Sequence, residues 1–293
     1  MKPAGRHFIK QIVSLFALVR VQNVLLLSIA FVLTAKYIFA PQRSLADLLT
    51  DFYFIALLSA SVVSIASGYI INAFYDYKKD LVNRPQKTLL EQQLDLNKRL
   101  YLYFLLNFIA VLLAAFISWR AALFFSLYIF FIWLYSHKIQ HYATVGNLMA
   151  TVLSIFPFFA IFLFFKKFDR FIFAHAVFLF LLLFLKHSIK SFVNIKGDLV
   201  QGNESLPIKY GEKKAKYFVV CISLLLFIPV SYLNKFEILG NMRYYFYLFI
   251  PAYLTGLFFF LKTNDTKSYR RFYNLIKLLL GLGVFSIMLV RGG

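Results

Sequence analysis

Residues 52–85 read FYFIALLSASVVSIASGYIINAFYDYKKDLVNRP: a long apolar run that breaks abruptly into charge. The first part is long enough to cross a bilayer as a helix, since about 17–25 apolar residues suffice. At its end Asn72, Asp76 and Asp80 recur at i, i+4 and i+8, which stacks an amide and two carboxylates along one helix face. Hard oxygen donors in this pattern suit Mg²⁺, which takes a few carboxylates and keeps waters or phosphate oxygens in its remaining positions. A plainer reading is a solvated helix end with Lys78, Lys79 and Arg84 as charge partners.

Working outward, further apolar runs lie near 13–38, 100–118, 121–136, 146–165, 171–189, 215–233, 244–262 and 271–290. With 52–75 they predict about nine transmembrane helices and an all-α, polytopic membrane bundle, read as one domain over 1–293. The composition agrees: of 293 residues 61% are hydrophobic and only 15% charged, with a mean hydropathy of +0.73, against about 25% charged in soluble domains. The first run exceeds a signal-peptide core and has no convincing cleavage site after it, so it is expected to remain as an anchor.

A formal charge of +20 would suggest nucleic acid in a soluble protein. Here the tendency of short cytoplasmic loops to collect Lys and Arg explains it, and nucleic acid is not expected as a partner. With the N-terminus inside, Lys2, Arg6 and Lys10, the loop carrying Lys78 to Arg99, Lys138, the run from Lys186 to Lys216, and Lys262 to Arg271 are cytoplasmic. Fewer cations fall on the other side: Lys36, Arg43, Arg120, Lys166, Lys167, Arg170, Lys235, Arg243 and Arg291. The terminal Arg291 carries no nucleic-acid signal, and an odd span number leaves the C-terminus outside. The long polar loops, 76–99 and 190–214, fall inside, as does 137–145, so chemistry is expected at the cytoplasmic face. The single cysteine, Cys221, excludes an intrachain disulfide and disfavours a thiolate metal site.

A second polar stripe opens the 190–214 loop. Lys186, Lys190, Asn194 and Asp198 recur every fourth residue, again at the end of an apolar helix. Taken alone, it also suits a basic stripe on anionic lipid headgroups. His137 and His141, at i and i+4, could ligate a metal or position an acceptor phosphate, or form a solvated pair; His7 and His175 have no partner pattern.

Together the two stretches resemble the UbiA-type intramembrane prenyltransferases. Asn72-x-x-x-Asp76-x-x-x-Asp80 with Asn83-Arg84-Pro85 looks like the first family motif, and 186–198 with Gly202 and Leu206-Pro207 like the second. Arg20 with Asn23, Leu134-Tyr135-Ser136 with Lys138, and Gly146-Asn147 are supporting matches. The resemblance implies transfer of a prenyl group from a polyprenyl diphosphate to a lipophilic or phosphate-bearing acceptor, with Mg²⁺ as cofactor and membrane lipids as surroundings. It implies Asn72, Asp76, Asp80 and Asp198 as metal ligands and Asp76, Asp80, Asp198 and Lys138 as catalytic residues. Asn23, Asn72, Arg84, Tyr135, Lys190, Asn194 and Lys196 would bind substrate, with Arg84, Lys138, Lys190 and Lys196 neutralising the departing diphosphate. Phe74, Tyr75, Tyr77, Tyr69 and Tyr135 offer aromatic faces to an allylic cation.

Several positions depart from the family pattern. Ala73 stands where Asp is usual, Lys186 and His187 where Arg and Glu are usual, and Ser191 and Asn194 where the second motif has its first two aspartates. Neutral donors should weaken a second metal site. The alternative reading is therefore a weakened homologue that binds isoprenoid lipid without transfer. A transporter fits less well, because charges gather at helix ends rather than at mid-span. The compact spacing from Asp80 to Pro85 looks like the branch that alkylates isoprenoid glycerol phosphates; aromatic quinone precursors stay open as acceptors. A bacterial inner membrane is the expected location, with no obligate protein partner.

The loop assignment is checked with topology reporters. A reporter fused after Lys87 or Gly202 should read cytoplasmic, and one after Arg43 or Lys167 external. A cytoplasmic signal at Lys167 would require a span gained or lost before the sixth helix.

Overall fold

A computed structural model describes residues 4–290, with side chains from Lys10 onward. Lys2, Arg291 and the side chains of Arg6 and His7 lie outside the described residues. The helices are α1 (Ala4–Leu18), α2 (Val21–Thr34), α3 (Leu45–Thr50), α4 (Phe52–Tyr75), α5 (Tyr77–Asn83) and α6 (Pro85–Glu91). Then follow α7 (Leu96–Ile117), α8 (Trp119–His137), α9 (Ala143–Phe165), α10 (Arg170–Val193) and α11 (Ile195–Gln201). The last are α12 (Leu206–Tyr210), α13 (Glu212–Leu233), α14 (Arg243–Lys262) and α15 (Thr266–Ser286). The described residues hold no β-strand, only an isolated bridge between Tyr142 and Glu204.

Nine segments among the described residues are long and apolar enough to cross a membrane. Eight match the expected runs to within a few residues at most ends. The first is corrected: it runs Val21–Phe39 rather than from residue 13. Arg20 adopts a left-handed backbone with φ of 53°, which breaks α1 from α2 and leaves α1 outside the span. α1 packs on α6 instead, where the Ser14 hydroxyl donates to the Glu91 carbonyl at 3.2 Å.

The chain forms two compact units. The first comprises residues through Ser28, Leu49–Ile139 and Lys196–Gly202, and is built around α4, which packs along α7 and α8. Asp51 caps α4, its carboxylate accepting from the Tyr53 and Phe54 amides at 3.0 and 3.2 Å. The inward face of α4 is small: Ala60, Ser61, Ser64, Ser67 and Gly68 are buried, the residue type that lets helices approach closely in lipid. Ser61 and Ser64 return their hydroxyls to carbonyls one turn back, at 2.8 Å each. Ser67 turns back to the Ser64 carbonyl at 2.8 Å and also reaches the Asn107 side-chain carbonyl on α7 at 2.5 Å. A Cβ on Gly68 would stand 3.0 Å from Ile132 of α8.

The second unit comprises Ile29–Leu48, Gln140–Ile195 and the chain from Asn203 onward. α10 is its axis, packed on α9, α13 and α15 and capped by Asp169 through the Phe171 and Ile172 amides. Its core mixes aliphatic side chains with a group of aromatic ones: Phe178, Phe192, Phe246, Phe249, Tyr253, Phe260, Tyr269 and Phe272 are buried together. The hydroxyls find partners, Tyr253 with Ser223 at 2.5 Å and Tyr245 with the Leu279 carbonyl at 3.1 Å. Pro157, Pro229 and Pro251 lie inside continuous helices, so none of the three breaks a span.

The tight α4–α8 approach yields a stability prediction. Gly68→Leu should destabilise the detergent-solubilised protein by about 1–3 kcal/mol through overpacking, and Ile132→Ala in the same chain should return part of that loss. Thermal unfolding of the two variants checks it; equal midpoints would mean that Ile132 is not the obstacle.

Candidate active site

The polar stripe at the end of α4 folds as its spacing predicts, with one added joint. Asp76 ends α4 and α5 begins at Tyr77, yet the i to i+4 ladder continues through the joint. The Asp76 amide donates to Asn72 at 2.9 Å, Asp80 to Asp76 at 2.8 Å and Arg84 to Asp80 at 2.8 Å. Asn72, Asp76 and Asp80 therefore keep a common face, and both carboxylates are buried, at 4% and 6% exposure.

Buried carboxylates must be neutralised or supplied with donors. Asp80 is held by the Arg84 guanidinium one turn on. Asp198 is held by Lys79, Nζ to Oδ1 2.7 Å, with side-chain exposures of 12% and 4%. This second pair brings the two sequence motifs together within the first unit. The backbone makes the approach possible. A Cβ on Gly197 would lie 2.6 Å from the Lys79 carbonyl and would also overlap the Asn83 amide, so α11 can seat there only with glycine. Gln201, one turn further, donates to the Tyr75 carbonyl at 3.0 Å.

Burial alone would pull the Lys79 ammonium pKa down; the Asp76 and Asp198 carboxylates outweigh it and hold the pKa above that of an ordinary lysine. Arg84 follows the same pattern, burial opposing and Asp80 prevailing. On α6, burial pushes the Glu91 carboxyl up, partly offset by Arg84 and Lys87. Burial lowers the Lys87 ammonium, helped by Arg20 and Arg84.

Asp76 is treated differently from its neighbours. Its Oδ1 is buried without a hydrogen-bond partner. A hard, anionic oxygen left in that state fits a hard cation such as Mg²⁺. Among the described residues no group of three or more His, Cys, Asp or Glu side chains is gathered tightly enough to hold an ion by itself. That suits an ion completed by water and phosphate oxygens rather than caged by protein.

The remaining expected site residues fall in different surroundings. Tyr135 of α8 stands within electrostatic reach of Lys79. Arg20 lays its guanidinium over the Tyr69 ring, 5.0 Å from the centroid. Asn23, Lys138 and Lys196 are exposed. Lys190 and Asn194 are half-buried at the end of α10 in the second unit, where the Asn194 amide donates to the Lys190 carbonyl at 3.1 Å. Ser191, in a position where the family motif has Asp, shares contacts of 3.4 Å with the Asn147 side chain. His187 meets the Ser154 hydroxyl at 3.3 Å. His137 stacks on Trp133 at 5.3 Å and His141 pairs with Asn203, so the two histidines take separate partners.

Sequence reasoning missed Lys79, treating it as one of several solvated charges. The available signal was its register: position i+3 from Asp76 lies on the carboxylate face, whereas Lys78 does not. Lys78 is indeed exposed. Gly197 gave no sequence signal of its own.

The sequence model of the UbiA prenyltransferase family matches residues 23–281. A digeranylgeranylglyceryl phosphate synthase of Thermococcus gammatolerans is 27% identical over 245 residues, covering 80% of this chain and 85% of that one. A protein of the same name from Methanosarcina mazei is 30% identical over 218 residues, covering 70% and 72%. Among solved structures, one of digeranylgeranylglyceryl phosphate synthase superposes with a TM-score of 0.70 at 21% identity, covering 94% of this chain and 96% of that one. A UbiA homologue from Archaeoglobus fulgidus bound to DMAPP and Mg²⁺ gives 0.66 at 15% identity, covering 94% and 100%. At these identities the structural likeness concerns the fold.

The seat of α11 is open to test. Gly197→Ala should push α11 off the Lys79 carbonyl and lower the thermal midpoint of the purified protein, at a cost of about 1–3 kcal/mol. Gly202→Ala, where a Cβ meets nothing within 4 Å but φ is +74°, should act through backbone strain alone and leave the Lys79–Asp198 pair intact. A Gly197→Ala protein as stable as the wild type would reject the close approach.

Proposed function

This chain belongs to the UbiA prenyltransferase family, and from that premise we propose that it transfers a prenyl group from a polyprenyl diphosphate to a phosphate-bearing lipid acceptor. The observation that carries the reading is the buried, unpartnered oxygen of Asp76 beside two carboxylates fixed by cations. Such a cluster has a use for a metal–diphosphate complex and none as a packing element. A prenylated glycerol phosphate is the acceptor class proposed, supported by the names of the curated relatives and by the compact spacing from Asp80 to Pro85.

Asn72, Asp76 and Asp80 are the proposed ligands of one Mg²⁺, and Asp198 is proposed to face the second cationic position of the site. Bound Mg²⁺ supplies positive charge to the diphosphate as the carbon–oxygen bond breaks and the electron pair leaves with it. The protein residues do the rest. Arg84 and Lys79 hold Asp80 and Asp198 in fixed positions, which removes reorganisation from the reacting state. Asp76, its oxygen unpartnered, is the carboxylate ready to bind. Tyr135 and Tyr75 supply ring faces that favour an allylic cation. The acceptor hydroxyl then forms the new carbon–oxygen bond, and its proton passes to the departed diphosphate. Asn23, Lys138, Lys190, Asn194 and Lys196 are proposed substrate contacts on their motif positions, Lys138 with a catalytic role in balancing the leaving group's charge. The whole chain is proposed to act as one transmembrane domain.

The chain is an integral membrane protein by its nine apolar segments and its family. We place the N-terminus and both motif loops on the cytoplasmic side, on the distribution of Lys and Arg. The bacterial inner membrane expected from sequence has no support in the relatives, which are archaeal; a plasma membrane is what we propose.

Membranes containing the protein, incubated with radiolabelled prenyl diphosphates, Mg²⁺ and a panel of acceptors, test the activity. Label should move to a prenylated glycerol phosphate in preference to aromatic acceptors. Asp76→Ala, Asp80→Ala and Asp198→Ala should each lower turnover by at least about 10²-fold, the scale of losing one electrostatic stabiliser. Near-normal transfer by Asp76→Ala would reject the metal assignment, and no transfer by the wild type to any acceptor would favour a lipid-binding role.

A further inference from the structure

Asp198 is the last carboxylate of the second motif, because Ser191 and Asn194 are neutral. It is also the carboxylate already engaged by a lysine of the first motif. The Lys79 ammonium stands 2.7 Å from Asp198 Oδ1, and both side chains are nearly closed to solvent. α5 fixes the lysine by placing it on the same helical face as Asp76 and Asp80. The Gly197 contact fixes the aspartate by pressing α11 against the carbonyl of that same lysine. Lysine and aspartate are thus tied at the backbone as well as at the side chains.

We propose that Lys79 is a built-in cation that takes the place of a second divalent metal ion at Asp198, leaving the site with one Mg²⁺. The inference rests on the prenyl diphosphate reading given above. A metal bound at Asp198 would share its carboxylate with the ammonium, and would bring a double positive charge against a buried single one. Displacing the lysine would break a buried ion pair and leave only Asp76 to balance its charge, which is costly. Asp76 differs, having an oxygen with no partner, and is where the single ion binds. The two neutral substitutions at Ser191 and Asn194 then have a physical counterpart: fewer carboxylates are matched by one fixed cation. Lys79 acts through Asp198, as a positioning residue that also sets metal number.

The test counts ions rather than turnover. The full chain, purified in detergent, is titrated with Mn²⁺ in the presence of a non-transferable prenyl thiolodiphosphate, and unbound Mn²⁺ is read by electron paramagnetic resonance. Wild type should bind one Mn²⁺ tightly. Lys79→Met should bind two, with the second at least about tenfold tighter than any second ion in the wild type. Lys79→Arg should return the count to one, which loss of packing alone would not reproduce. Two tight ions in the wild type, or a count of one in Lys79→Met, would overturn the proposal. Should Lys79→Met fail to purify as a monodisperse protein, Lys79→Gln replaces it with the same expected second ion, and the wild-type count still stands as a test. The underlying reading fails separately: one tight ion without transfer to any acceptor would overturn prenyl transfer and leave the metal count supported. No bound ion at all would overturn both.

Discussion

Hydrocarbon offers a peptide group no partner, so the backbone of each span must satisfy itself. Much of what is distinctive in this chain follows from that constraint. Helices that run unbroken across the bilayer approach most closely where side chains are small, which explains the serine and glycine face of α4. Polar side chains within the spans turn back on their own helix, as Ser61 and Ser64 do, or also reach a neighbouring helix, as Ser67 does through Asn107. Carboxylates among the described residues are kept to the ends of the spans or outside them, whereas Lys277 lies within the last span. The carboxylates gather just past the end of α4, where the ladder of backbone bonds continues but the span itself is over.

That displacement explains why so much was legible in the sequence. Apolar runs delimit the spans because the solvent imposes a minimum length, and the stripe from Asn72 to Asp80 survives as a face because i to i+4 bonds carry across the joint at Asp76. The first span was misjudged for a local reason: Leu15 to Val24 is apolar enough to read as continuous, and only the left-handed backbone at Arg20 divides it. Lys79 was missed for a tertiary reason. Register sets Lys79 apart from Lys78 on the carboxylate face, but its partner Asp198 arrives on α11, a contact that local periodicity does not encode.

The departures in the second motif also become intelligible once side chains are placed. Ser191 is engaged with the Asn147 side-chain amide of α9. A neutral hydroxyl satisfies a neutral amide without introducing a charge that would need its own counterion. The stretch from Lys186 to Asp198 thus has Ser191 matched locally to Asn147 and its single acid matched to the first motif.

The pairing of Lys79 with Asp198 has a consequence for how the chain is made. Synthesis is vectorial, and Asp80 is followed within one turn by Arg84, so that carboxylate has its counterion almost from birth. Lys79 has Asp76 one turn behind it, but its ion-pair partner Asp198 is missing until the third to sixth spans have been threaded and α11 has emerged. Until then the ammonium must stay hydrated at the headgroup layer, and the end of α4 cannot close. Maturation of the cluster is thereby tied to insertion of the sixth span, and an arrested chain lacking that span would carry a hydrated, unfinished mouth rather than a partly working one.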